Sequence, residues 1–242
     1  MLTEVRLSGY RVFRDFHADL RALNVVIGAN STGKSTLLDF FQFISQAMVF
    51  DLPSAIRHRG GPALVANARF PDEPLRWELR LEFGDSYALY PSETLEPGAR
   101  ARYHAVLNLR YFMPEELVQS ETVWWSDPAS AFFGEEKPVL ERRGRRAWVY
   151  DDQRAEPVAL DLAAVRGRSR REEDQPSLFG PEAEEETEGG IARAPRENLA
   201  PGSQRPLENL LLSELGSPWI SSLLTFLHAH LRWVSVYPGF HV

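Results

Sequence analysis

Cysteine is absent from the 242 residues, which excludes disulfides and thiolate metal sites and fits a reducing compartment. No apolar run approaches the roughly 20 residues that a membrane-spanning helix needs. At the N-terminus, charged and apolar residues alternate where a signal peptide would carry its apolar region. Together these absences predict a cytoplasmic chain with no membrane partner. A basic excess is missing too. The formal charge of −7 argues against a surface coated for nucleic acid and leaves room only for a local basic patch. Lysine is almost absent: Lys34 and Lys137 stand alone among arginines, a bias that fits a GC-rich coding sequence. Apolar residues are not scarce. At 43% of the chain they suffice for a packed core.

The pattern of those apolar residues predicts an α/β chain. Leu2, Val5 and Leu7 alternate with polar neighbours as in a strand that Gly9 ends, and residues 12–20 read as a second strand. Residues 23–27, Leu-Asn-Val-Val-Ile, are nearly continuous and rich in β-branched side chains, as in a strand buried on both faces. Gly28 ends that run, and a buried helix is expected over residues 34–48, because its apolar positions wrap most of the circumference. Residues 49–62 read as a connector that contains Arg57-His58-Arg59-Gly60-Gly61.

Short strand-like runs at 76–83, 87–90, 103–112, 138–141, 147–150 and 158–162 then predict an antiparallel β region, with Arg143-Gly144-Arg145 as a turn. Residues 166–206 are dominated by Arg, Glu, Pro, Gly and Ser. Such a composition buries too little surface to offset ordering entropy, so a disordered loop or linker is expected there. A helical pattern returns from Pro206 to about His230, and residues 231–236 read as a strand.

The chemistry resides in Gly28-Ala29-Asn30-Ser31-Thr32-Gly33-Lys34-Ser35, which fits the P-loop pattern GxxxxGK[ST]. Glycines let the loop wrap closely, so that its backbone N–H groups face a phosphate. The helix that follows adds positive partial charge at its N-terminus. Lys34 is expected to reach the β- and γ-phosphates, Ser35 to ligate Mg²⁺, and Thr36 to contact the α-phosphate of a purine nucleoside triphosphate, ATP.

The first 48 residues resemble the N-terminal lobe of ABC-type ATPases of the RecF/SMC/OLD group. The likeness lies in Leu7-Ser8-Gly9-Tyr10-Arg11-Val12-Phe13 and in Leu23 through Asp39. Ala29 stands where the family usually has proline, and Ser31-Thr32 where it has Gly-Ser. Neither change removes a required group, although Ser31 costs backbone freedom. The resemblance implies a P-loop NTPase fold of ABC type, with Arg11 beside the nucleotide; a surface arginine at a strand turn is the alternative for that residue.

The resemblance also implies a composite site completed by a Walker B strand ending in Asp-Glu and by a signature motif. The nearest run, Ala147-Trp148-Val149-Tyr150-Asp151-Asp152, lacks the Glu and reads as part of a hairpin, and no signature motif is found. The chain therefore reads as three parts. Residues 1–165 form an ATPase N-terminal lobe with its β region, 166–206 a disordered insertion, and 207–242 a return to the core that stops before Walker B.

A homodimer or a downstream ATPase portion is the expected partner. DNA is a further candidate, through the basic turn Arg142-Arg143 with Arg145 and Arg146, although a solvated hairpin tip explains the same residues. Gln175-Pro176-Ser177-Leu178-Phe179 resembles the peptide by which bacterial repair proteins dock on the sliding clamp, a pattern short enough to arise by chance. His58, His228, His230 and His241 show no metal spacing, so Mg²⁺ carried with the nucleotide is the one metal expected.

Three functions fit the residues. One is an ATPase in DNA repair, recombination or phage defence, another a non-hydrolysing nucleotide-binding module that regulates a partner. The third, a kinase or GTPase on another P-loop fold, is disfavoured by the strand pair before the P-loop.

Overall fold

The computed structural model describes residues 1–83, 87–90, 93–95, 98–110, 117–151, 156–160, 210, 212 and 222–232. The expected disordered insertion at 166–206, the clamp-like peptide at 175–179, Asp152, and the last residues from 233 onward lie outside this set.

Strong period-two alternation builds one large sheet. Strands β1 (Leu2–Ser8), β2 (Phe16–Asp19), β3 (Leu75–Phe83), β6 (Ala99–Leu107), β7 (Val118–Ser126), β8 (Lys137–Arg143), β9 (Arg146–Asp151) and β10 (Glu156–Leu160) lie in the order β10-β9-β8-β7-β6-β3-β1-β2. Strands β4 (Tyr87–Tyr90) and β5 (Glu93–Leu95) pair separately. Every described pairing is antiparallel. In β3, Leu75, Trp77, Leu79, Leu81 and Phe83 are buried while Arg76 and Arg80 are exposed. This is the half-solvated pattern of an antiparallel sheet.

Helices cover the buried face. They are α1 (Lys34–Val49), α2 (Leu52–His58), α3 (Pro62–Val65) and α4 (Ser222–Arg232). In α1, Leu37, Phe40, Phe43, Ile44, Ala47 and Met48 are buried, while Leu38 is exposed. The helix is amphipathic rather than buried all round. Trp77 of β3 meets Phe40 and Phe43 of α1 edge-on, each with ring centroids 6.3 Å apart, and Tyr103 of β6 at 6.2 Å. His228 of α4 lies 3.0 Å from the Met48 carbonyl at the end of α1.

On the opposite face, Glu4 stands opposite Arg80 and Arg6 opposite Glu78 across β1 and β3, while Asp19 adjoins Glu4 and Arg80 adjoins Arg102 as neighbours of like charge. Arg102 lies flat against Trp124 at 3.9 Å and forms a two-pronged bond to Glu136. Cross-strand pairs of this kind contribute a few tenths of a kcal/mol, up to about 1, each.

Several expectations need correction. Residues 23–27 are not a strand and not buried: Leu23, Val25, Val26 and Ile27 are 83%, 75%, 51% and 88% exposed. After β2 the chain turns away, because Arg21 N–H donates to Asn24 Oδ1 at 2.9 Å and Asn24 Nδ2 to the Arg21 carbonyl at 2.7 Å. β1 already has β2 and β3 on its two sides, and no described strand pairs with residues 23–27. The parallel neighbours expected of an ABC-type core are thus not among the described residues. The connector at 49–62 contains helix α2 and the first residue of α3, with Asp51 capping α2 by accepting from the Ser54 N–H. Strand β7 was not expected, and Leu231 and Arg232 end α4 rather than starting a strand.

Beneath the sheet Glu121 is fully buried. It accepts hydrogen bonds from Tyr103 Oη at 3.0 Å and from the Leu212 N–H at 2.9 Å. Arg142 is buried close by, held through Nε to the Gly144 carbonyl at 2.9 Å. Burial pushes the Tyr103 phenol well above its usual range and pulls Arg142 down, with the Glu121 charge opposing that second shift.

Two outcomes follow from this packing. Glu121→Gln removes a charge that offsets the burial of Arg142 and the acceptor of two buried hydrogen bonds, and should cost about 3 kcal/mol, the scale for disrupting a buried charge, read from urea unfolding. Val25→Ser with Ile27→Ser should change stability by no more than about 0.5 kcal/mol, as for surface sites. The same pair of changes should reduce self-association in sedimentation at micromolar concentration, because it removes an exposed apolar patch.

Candidate functional site

Lys34 is the first residue of α1, and Gly33 precedes it as N-cap with φ 99° and ψ 4° and no side-chain cap. The Gly33 carbonyl accepts the Leu37 N–H at 2.9 Å, so the helix starts here. No acidic residue lies in the first turn. The helix therefore presents N–H groups that no cap satisfies and no carboxylate shields, the electrostatic setting for an anion.

The loop closes on itself. Thr32 Oγ1 donates to the Ala29 carbonyl at 2.9 Å, and Lys34 Nζ donates to the Gly28 and Ala29 carbonyls, each at 2.6 Å. Gly33 is required by its φ of 99° and by the Phe13 ring, which a Cβ would meet at 3.0 Å; a Cβ at Gly28 would come within 2.8 Å of Thr32 Oγ1 and push aside that side chain. Ser31 adopts φ 67°, the left-handed region that a glycine enters freely.

Val12, Asn30, Ser31, Gly33, Lys34, Ser35 and Thr36 line an open hollow of about 360 Å³. Seven of the expected site residues thus lie together: Asn30, Ser31, Gly33, Lys34, Ser35 and Thr36 on the wall, with Thr32 bracing the loop. Gly28 and Ala29 contribute carbonyls that hold Lys34. The donor set fits the triphosphate arm of a nucleotide: an ammonium, hydroxyls at Ser35 and Thr36, and the uncapped helix start. Val12 and Phe13 were not foreseen as part of the site. The sequence placed them in a strand over residues 12–20, but β2 starts only at Phe16 and the turn after Tyr10 brings them onto Gly33.

Arg11 is not on that wall. Its guanidinium lies 3.2 Å from Asp39 Oδ2, and its N–H donates to the Val65 carbonyl at 2.9 Å. Asp39 also receives Tyr10 Oη, and Arg59 Nε lies 3.2 Å from its Oδ1. Burial and the Asp39 carboxylate push the Tyr10 phenol up beyond its normal range.

The other candidates sit elsewhere. Arg142 is buried beneath the sheet rather than displayed to DNA, because strand alternation turns it inward, while Arg143 pairs with Glu141 at 2.7 Å. Asp151 ends β9, which pairs with β8 and β10 at the far end of the sheet from β1 and β2. The 147–151 run is therefore a hairpin strand, built on the turn at Gly144 with φ 55°. His58 Nδ1 lies against the Ser54 carbonyl. Glu4, His17 and Asp19 come within ligand reach of one another on the outer face. There, however, Arg6 and Arg80 already occupy both oxygens of Glu4, at 2.5 and 3.2 Å.

A family model described as "AAA domain, putative AbiEii toxin, Type IV TA system" matches residues 23–142, just under half of the chain. No curated protein matches it. Among the described residues no helix is long and apolar enough to cross a membrane. The matched segment begins at the apolar run before the P-loop and extends through β8, so it takes in the whole phosphate hollow except Val12. It supports an AAA-type P-loop ATPase domain with the capacity to bind a nucleotide.

The strained Ser31 gives a direct test of the loop geometry. Ser31→Gly should raise stability by about 1 kcal/mol, the cost of a left-handed backbone for a residue with a Cβ, measured by urea unfolding. A loss instead of a gain would show that the Ser31 hydroxyl outweighs the backbone term.

Proposed function

We propose that this chain binds ATP with Mg²⁺ as a module of a RecF/SMC/OLD-like ATPase acting in phage defence, DNA repair or recombination. The observation that carries the reading is the convergence of Lys34, Ser35 and an uncapped helix start on one glycine-shaped hollow. The family match spans that same segment. In this reading Lys34 leaves the Gly28 and Ala29 carbonyls to compensate the β- and γ-phosphate charge. Ser35 ligates Mg²⁺, Thr36 contacts the α-phosphate, and Arg11 lies beside the nucleotide. The matching family's description refers to a toxin of a type IV toxin–antitoxin system, which favours defence over repair.

The remaining parts of the reading rest on the sequence. They are a lobe at 1–165, a linker at 166–206 and a return at 207–242, a cytoplasmic location, and a second copy or a further ATPase portion to complete the site. DNA, or a clamp contacted through Gln175 to Phe179, would then be its target.

A second reading, a nucleotide-binding module that does not hydrolyse, is favoured by one observation. Among the described residues no strand lies beside the P-loop to carry a Walker B carboxylate, and Asp151 lies at the far end of the sheet.

Calorimetry with MgATP tests the shared claim. Lys34→Ala should weaken binding at least about tenfold, since charge-assisted bonds to phosphate contribute roughly 1.5–3 kcal/mol. Equal affinity in the two folded proteins would remove the P-loop assignment. Turnover separates the two readings: hydrolysis near background supports the module, and Lys34-dependent hydrolysis supports the ATPase.

A further inference from the structure

We infer that Asp39 is a competing acceptor that holds Arg11 away from the phosphate hollow, and that Arg59 sets how firmly it does so. This rests on the nucleotide reading above and adds a partner exchange to it.

Asp39 lies one helical turn beyond Ser35 on α1, so it sits close behind the phosphate-facing start of the helix. One carboxylate there meets two guanidiniums and a phenol: Arg11 at 3.2 Å, Arg59 at 3.2 Å, and Tyr10 Oη. The cluster carries one positive charge more than it needs.

The two arginines are held very differently. The Arg59 side chain is 5% exposed. It donates to Gln46 Oε1 at 2.5 Å, the Ala55 carbonyl at 3.0 Å and the Asp39 carbonyl at 3.2 Å. The Arg11 side chain is 34% exposed, with one ion pair. The Nε atoms of both arginines are buried without a hydrogen-bond partner, so the difference lies in the other bonds: three hydrogen bonds hold the Arg59 guanidinium, whereas Arg11 has its ion pair with Asp39. The more exposed and less tightly held guanidinium is the one that can move. The next two residues, Val12 and Phe13, already touch the hollow and Gly33.

An anion in the hollow therefore offers Arg11 a second partner through a side-chain rotation. When Arg11 leaves, Tyr10 and Arg59 still satisfy Asp39, so no buried charge is stranded. Arg59 is the C-cap of α2, within the Arg57-His58-Arg59-Gly60-Gly61 segment. The exchange thus connects nucleotide occupancy to the contact between α1 and α2, and Asp39 and Arg59 act as positioning residues.

The test is calorimetric titration of MgATP into the full chain and its variants, each checked for a cooperative melt. Asp39→Asn removes the competitor, so binding should tighten roughly threefold, the scale of a partly exposed ion pair. Arg59→Gln leaves Arg11 as the main cation on Asp39, so binding should weaken by a similar factor. Both effects should vanish in an Arg11→Ala background. A merely structural role would weaken binding in both variants and leave their effects additive with Arg11→Ala, and that result, or no effect of either change, overturns the inference. Should Asp39→Asn not fold, Arg59→Gln with and without Arg11→Ala decides alone. Lys34→Ala separates the two levels. Binding that depends on Lys34 but ignores Asp39 and Arg59 sinks only the exchange, whereas wild type that binds no MgATP sinks the nucleotide reading and the exchange with it.

Discussion

The contact on which the rest of the structure depends is the seating of α1 on the sheet through Trp77. Its indole meets Phe40, Phe43 and Tyr103, and Tyr10 packs on the same two phenylalanines. Its Nε1 is buried without a partner, a cost of about 1–3 kcal/mol that a smaller apolar residue would avoid. Aromatic contact area offsets it. Because α1 begins at Lys34, fixing the Phe40–Phe43 turn against Trp77 also fixes the height and direction of the helix start. The hollow is therefore positioned from below, by the core, rather than by a sheet in which the loop itself takes part.

Charge is handled in two ways on the two sides of the sheet. On the outer face acids and arginines meet in solvent-exposed pairs such as Glu4 with Arg80, so each pair matters little. On the helical side there are few charged groups, and each is hydrogen-bonded or ion-paired: Glu121 under the sheet, Asp39 with Arg59 beneath the P-loop. At Lys34 and the start of α1 no acidic residue lies in the first turn and no side chain caps the helix, which favours an anion there.

The sequence made some of this legible and hid the rest for physical reasons. The P-loop is a contiguous pattern whose chemistry depends on spacing, so Gly28 through Thr36 could be read directly. Helix α1 and the Gly144 hairpin were equally visible, because both are set by local periodicity and turn chemistry. Residues 23–27 were misread because β-branched apolar runs report what a segment could bury, not whether a neighbour is there to bury it. Arg142 was misread because a run of arginines at a turn looks solvated, while its place in β8 turns this one inward. The exchange cluster joins Tyr10, Arg11, Asp39 and Arg59, which no short-range pattern connects. Helices α2 and α3, with 7 and 4 residues, are too short to leave a periodic trace.

The pairing of β1 with β3 has a consequence for how the molecule forms. These neighbours enclose residues 9–74, so the entire phosphate-binding unit is a cassette inserted between two adjacent strands of one sheet. Strands β6 through β10 are sequential neighbours in the sheet, and their close spacing along the chain lets them zip at little entropic cost. Closing the cassette requires a long-range contact whose cost grows with the logarithm of loop length. The sheet is thus expected to exist before the cassette is closed, with β3 as the template on which β1 docks. For a chain emerging from the ribosome, β1 would be made well before β3 and yet dock after it.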